Sequence, residues 1–255
     1  MKKTVFSILL LSALALMTLC SCSAEREESS NFDLLTESVK RAKDGDWRKS
    51  YDFASRASTQ NSKDISSLIM EGLALEYTGK PQLAIGRLEN AVELAPDCFM
   101  AQYSLGRMLY DSREYKKCLK PLKKARKLDK KNTNVVVLLA NAMSKLDLSG
   151  SLSYYAIALT SGRFKKTAAP WNQLGVTFAK NKKLRDALKC LIKAYKLAPD
   201  NHVVVLNLGI FLDKYLNKKS KAKKYYYKYL ELTAENLALE TKRKEIIKRI
   251  KEISS

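Results

Sequence analysis

The sequence predicts an all-α fold, an array of about six helix–turn–helix repeats closed by one further helix at the C-terminal end. Three observations predict it. The chain of 255 residues repeats itself with a period of 34 over about four fifths of its length. Within each copy, apolar residues recur at i, i+3, i+4 and i+7, the spacing of one helix face. Finally, 46% hydrophobic residues with only 9 Gly and 5 Pro provide a sizeable core and exclude collagen-like or Gly/Ser-rich low-complexity chains. A single helical hairpin cannot bury its own apolar face, whereas stacked copies can.

The repeat frames are 31–64, 65–98, 99–132, 133–167, 168–201 and 202–236, the fourth and sixth each one residue longer. The clearest copy, 168–201, carries Trp171, Leu174, Gly175, Phe178, Ala187, Leu191, Ala194 and Pro199. The second carries Leu68, Gly72, Leu75, Ala84, Leu88, Ala91 and Pro96, and the third Leu105, Gly106, Leu109, Cys118, Leu122 and Ala125. The sixth gives Val205, Leu208, Gly209 and Leu212, then, after its extra residue, Ala222, Tyr226 and Tyr229. The first copy is weak, with Gly45-Asp46-Trp47 at its turn, and the fourth is degenerate. A glycine inside a helix costs about 1 kcal/mol relative to Ala, so Gly72, Gly106, Gly175 and Gly209 mark places where two helices nearly touch. Ala187 and Ala194 are expected to face that crossing from the second helix. Residues 237–255 form the capping helix, with an apolar stripe of Leu237, Leu239, Ile246, Ile247 and Ile250.

This series of residues resembles the tetratricopeptide repeat (TPR). The resemblance implies a right-handed α-solenoid of about six TPR helix–turn–helix repeats with a C-terminal capping helix. It also implies a concave groove, lined by the first helix of each repeat, that holds an extended peptide or a partner helix. The family's groove positions fall here on Tyr103, Arg107, Asn141, Asn172 and, at the thirteenth place of successive repeats, Lys145, Lys180 and Lys214. These three lysines would form a basic column. The set that clamps a chaperone's C-terminal carboxylate in some TPRs is missing, because Ile69 and Leu73 occupy two of its places.

Residues 1–22 read as an export signal: Lys2 and Lys3, an apolar run from Val5 to Leu19, then small residues. The segment Leu19-Cys20-Ser21-Cys22 resembles the bacterial lipobox, which implies a signal peptide over 1–21 and lipidation of Cys22. Several acyl chains there would give stable anchoring. With Ser23 after the cysteine, the family pattern leans toward an outer membrane facing the periplasm. The alternatives are an ordinary secretory signal cut near Ala24 and an uncleaved anchor. Residues 22–30 read as a polar tether.

Charge is strongly polarised. Residues 22–98 hold 10 Lys/Arg and 14 Asp/Glu, whereas residues 99–255 hold 35 and 12. Such a field favours an acidic partner or an anionic surface. Much of it comes from second helices and loops, among them Lys116, Lys117, Lys120, Lys123, Lys124, Lys223 and Lys224. The stretch Lys221–Tyr229 interleaves lysine with tyrosine, but an exported, lipid-anchored protein is not expected to meet nucleic acid.

Chemistry is thinly represented. The single His202, placed at a turn between repeats, excludes multi-His zinc sites and His-based relays. Phosphate-binding glycine loops and the common hydrolase motifs are missing from the sequence. Cys98, Cys118 and Cys190 have no metal-ligand spacing, and Cys118 falls on a buried helix position. The expectation is a non-enzymatic scaffold without cofactor, metal or small-molecule substrate. It resembles envelope TPR lipoproteins such as those assisting type IV pilus secretin assembly, adapting cell-wall enzymes or joining β-barrel assembly. The expected partner is another envelope protein offering an acidic extended or helical segment. The competing reading is a binder of anionic lipid or cell-wall polymer through the basic C-terminal half.

Overall fold

The computed structural model describes residues 27–148 and 150–254. The signal segment 1–21, Cys22 and the first part of the tether lie outside the described residues. All regular structure among those described is helical. The elements are α1 (Glu27–Lys43), α2 (Trp47–Gln60), α3 (Ile65–Tyr77), α4 (Pro81–Leu94), α5 (Phe99–Asp111), α6 (Tyr115–Leu128), α7 (Thr133–Lys145), α8 (Ser151–Thr160), the short α9 (Gly162–Lys165), α10 (Ala168–Lys180), α11 (Leu184–Leu197), α12 (His202–Ile210), α13 (Lys219–Leu232) and α14 (Glu240–Glu252). A π turn, Phe211–Tyr215, prolongs α12, and a 3-10 turn, Leu237–Leu239, precedes α14. The first helix begins at Glu27, inside the stretch read from sequence as tether.

The chain divides into two compact units, one up to Leu138 and one from Leu139. In the first, each helix from α1 to α6 packs on the next, and α3 also touches α1 and α5. In the second, α8 packs on α10, α10 on α11, α11 on α12, α12 on α13 and α13 on α14, with α10 also against α12. Hairpins stacked with first helix on first helix make the α-solenoid the sequence predicts.

Local chemistry sets the punctuation. The turn inside each hairpin holds one residue in the left-handed region: Gly45, Gly79, Arg113, Asp147, Lys182 and Asn217. Between hairpins, Asp64 and Asn201 cap the following helix. Asp64 accepts from the Ser66 and Ser67 amides at 3.2 and 3.1 Å. Asn201 accepts from those of Val203 and Val204 at 3.0 and 3.2 Å. His202 is therefore the first residue of α12 and not a turn residue, its ring 6.4 Å from that of Tyr229.

The glycines sit where two helices nearly touch. A Cβ added at Gly106 would lie 2.6 Å from the Leu122 side chain and 3.2 Å from the Leu122 nitrogen. At Gly175 the same atom would meet the Leu191 side chain at 2.7 Å and the Leu191 nitrogen at 3.1 Å. The glycine thus receives a leucine from the second helix. Ala187 and Ala194, on the same helix as Leu191, are fully buried.

The extra residue of the sixth repeat is absorbed by the π turn at the end of α12, a usual way to fit one residue into a helix. Gly209 consequently faces Tyr226, with the ring 3.1 Å from an added Cβ. The π turn carries Asp213, which is 3% exposed. Tyr226 donates to Asp213 at 2.9 Å, and Arg249 of α14 clamps both carboxylate oxygens, Nε at 2.8 Å and Nη2 at 2.9 Å. Those Arg249 hydrogen bonds, chiefly, hold the Asp213 carboxyl below its ordinary range against the effect of burial. This pair fastens the capping helix. The buried stripe is Ile246 and Ile250 of α14 with Ile253 just after it, while Ile247 is 44% and Leu237 81% exposed. Spacings of four and three keep the first set on one face, and Ile247, one residue on, turns away from it.

Candidate functional site

The sequence of α12, HVVVLNLGI, is apolar nearly all round, and after His202 at its start Asn207 is its one polar side chain. Such a helix belongs inside a protein or against a ligand. Val204, Val205, Leu208 and Gly209 meet the first condition and are buried. Val203 does not, at 48% exposed, and Leu206 and Ile210 are only partly covered. With Lys214 they follow one helix face at spacings of three and four, so the second unit presents an apolar strip ending in a cation.

Polar groups one repeat apart stitch the neighbouring first helices together. Asn207 of α12 donates to the Asn172 carbonyl oxygen of α10 at 3.1 Å. Ser144 and Thr177 share a hydrogen bond of 2.9 Å, and Gln173 donates to Ser144 at 3.3 Å. A hollow of about 400 Å3 opens beside this ladder, lined by Ser144, Asp147, Leu148, Ser151, Thr177, Lys180, Asn181 and Tyr215.

The three lysines of the expected column have unequal surroundings. Lys180 binds Asp147 at 2.7 Å, a pair between exposed side chains 33 residues apart. Lys145 and Lys214 are exposed and have no ion pair among the described residues. Asn141 accepts from the buried Tyr155 hydroxyl at 2.6 Å, which commits its carbonyl oxygen to the core. Asn172 is 6% exposed and holds its neighbour more than it faces solvent.

In the first unit the expected groove residues are engaged internally. Arg107 of α5 donates to Glu76 of α3 through both terminal nitrogens, one at 2.7 Å, and reaches Asp111 at 3.2 Å. Burial alone would lower the guanidinium's pKa, but the hydrogen bonds and charge of Glu76 outweigh it and raise the value above the ordinary one. Arg107 is thus not the free cation that its repeat position implied. Tyr103 is 6% exposed, with its ring stacked on Phe99 at 5.7 Å. Tyr77 stacks on Trp47, centroids 3.9 Å apart.

Sequence reasoning missed the Val203, Leu206 and Ile210 strip. Its signal was present, because a first helix with no polar face leaves a side for something else to cover.

Residues 69–132 and 168–201 each match the tetratricopeptide repeat. No match was found among curated protein sequences. Among solved structures, the chain is similar to YrrB, described as a TPR protein with an unusual peptide-binding site. Identity there is 21% and TM-score 0.58, with 74% of this chain and 97% of the other covered. It is similar to Pseudomonas aeruginosa pilF at 14% identity and TM-score 0.68, covering 86% and 99%. MamA MSR-1 aligns at 19% identity and TM-score 0.60, covering 66% and 97%. At these identities the likeness is one of fold. The helix pairs of residues 69–132 and 168–201 are tetratricopeptide repeats, set in an α-solenoid that other TPR proteins share.

Proposed function

We propose that this chain is a lipid-anchored binding scaffold of a bacterial envelope, whose second unit holds a segment of another protein. One observation carries the reading: the apolar strip of the exposed Val203 and the half-buried Leu206 and Ile210, ending at the exposed Lys214. Apolar side chains of the bound segment would lie along the strip, where removing each from water contributes roughly 25 cal/mol per Å2. Acidic side chains would meet Lys214 and Lys145, which adds selectivity and encounter rate more than affinity. YrrB, of similar fold, is described as having a peptide-binding site, which agrees with this use of the groove. Anchoring through Cys22 and placement in the envelope rest on the residues of 1–22.

Two measurements test the reading. Co-purification from detergent-solubilised envelopes compares the natural chain with a Val203→Asp/Ile210→Asp variant whose helicity is checked by circular dichroism. The proposal requires a partner that the folded variant loses; a partner retained by the variant contradicts it. For the anchor, Cys22→Ser is expected to move the chain out of the membrane fraction, and continued membrane partitioning rejects the lipid.

A further inference from the structure

A second surface, in the first unit, is built differently from the groove. A cleft of about 950 Å3 runs between α4 and α6, the second helices of the second and third repeats. Its inner wall is apolar: Leu105 and Leu109 of α5, Val92 of α4 and Leu119 of α6. Its rim is a lysine row on α6. Lys117 and Lys124 are paired, with Glu114 and Asp97 respectively, each at 2.6 Å.

The other four, Lys116, Lys120, Lys123 and Lys127, are exposed and have no ion pair among the described residues. Their spacings of four, three and four place them along one side of α6, over roughly 16 Å of helix. Like charges three and four residues apart repel, so the row opposes the helix that carries it. Glu89 is the lone carboxylate lining the cleft.

The geometry points to this cleft as the docking site of an acidic amphipathic helix from a partner protein. Carboxylates at i, i+4, i+7 and i+11 of that helix match the four lysines, and its adjoining apolar side chains enter the cleft. The match is one of charge and of period, since both rows follow the same helical repeat. A flat anionic membrane would meet the lysine tips but could not enter the concave apolar wall. A polyphosphate would leave that wall unfilled. The site is separate from the strip on α12 and does not depend on it.

The test uses the full chain and a fluorescent 18-residue peptide with Glu at i, i+4, i+7 and i+11 and Leu on the adjoining face. Binding is followed by anisotropy. A second peptide has the same composition in scrambled order. The natural chain is expected to bind the first peptide, and the scrambled one roughly tenfold more weakly or worse. Lys116→Glu/Lys120→Glu/Lys123→Glu/Lys127→Glu, with helicity verified, should weaken binding by about tenfold or more. Leu119→Asp should weaken it while leaving the lysines in place. In a Lys145→Glu/Lys180→Glu/Lys214→Glu background, which removes the acid contacts of the groove, the remaining binding should still be weakened by the α6 changes, which separates this site from the groove. Equal binding of the scrambled peptide, or insensitivity to the α6 variants, would overturn the proposal. Displacement of the peptide by phosphatidylglycerol vesicles at lower concentration than by unlabelled peptide would reassign the lysine row to an anionic lipid surface.

Discussion

Arg107 and Lys214 both stand on the first helix of a repeat, at places where a TPR meets its ligand, yet they do opposite things. In the first unit, Arg107 is closed in by Glu76 and Asp111. In the second, Lys214 and Lys145 are exposed and have no ion pair among the described residues, beside an apolar strip that is only partly covered. Repeat position alone does not make a binding residue. A carboxylate one helix away turns a ligand contact into a tie between repeats. Arg107 ties two helices of the first unit together, whereas Lys145 and Lys214 of the second have no such tie among the described residues.

The largest effect expected from breaking this comparison is Arg107→Ala. Removing one partner of a largely buried ion pair leaves Glu76 uncompensated and should destabilise the first unit by about 3 kcal/mol. Lys145→Ala and Lys214→Ala should stay within about 0.5 kcal/mol. Urea unfolding distinguishes them, because Trp47 reports on the first unit and Trp171 on the second. Equal effects at Arg107 and Lys214 would remove the distinction.

The helix crossings sharpen it next. Gly106→Ala pushes a Cβ into Leu122 and its backbone, a cost of about 1–3 kcal/mol offset by about 1 kcal/mol of helix propensity. Gly209→Ala meets Tyr226 at a looser 3.1 Å and should cost less. The same fluorescence titration orders the two.

A pH effect belongs to the second unit. Because Arg249 depresses the folded Asp213 pKa, the stabilisation is present above the unfolded carboxylate value of about 4 and is lost as pH falls through the folded value. Amide exchange at Ile246 and Ile250 should therefore lose protection in acid before α10 and α11 do. Asp213→Asn should abolish that acid step, and an unchanged acid profile would detach the capping helix from this ion pair.

The smallest expected effect concerns the thiols. Burial pushes Cys118 and Cys190 up to about 11, so both are protonated at pH 8. Of Cys98, Cys118 and Cys190, Cys98 should react first with iodoacetamide, and the other two only on unfolding.

Much of the fold was legible because a repeat states its spacing several times. Glycine at the same place in four copies disclosed the helix crossings, and Cys118 in an apolar register is indeed buried. The features that escaped are pairings between copies. Arg107 and Glu76 are 31 residues apart, and Asp213 and Arg249 are 36 apart, so no local pattern joins them. Lys180 and Asp147, 33 residues apart, come closest to a readable one-repeat spacing. The insertion in the sixth repeat was visible, but its absorption as a π turn was not, because a sequence does not say which turn widens. The strip on α12 could have been read from its missing polar face. The lysines of α6 were visible as charge, but the cleft beside them exists only once α4 and α5 are packed.

The central claim is that the second unit, and not the first, holds a partner in its groove. Site-specific photo-cross-linking in living cells tests it most directly, with benzoylphenylalanine placed at Val203 in one strain and at Tyr77 in another. Each is repeated in a Lys145→Glu/Lys180→Glu/Lys214→Glu background. The account predicts one dominant protein captured through position 203, not through 77, and lost in the charge-reversed background. Capture through 77, or capture at 203 that ignores the lysines, would contradict it.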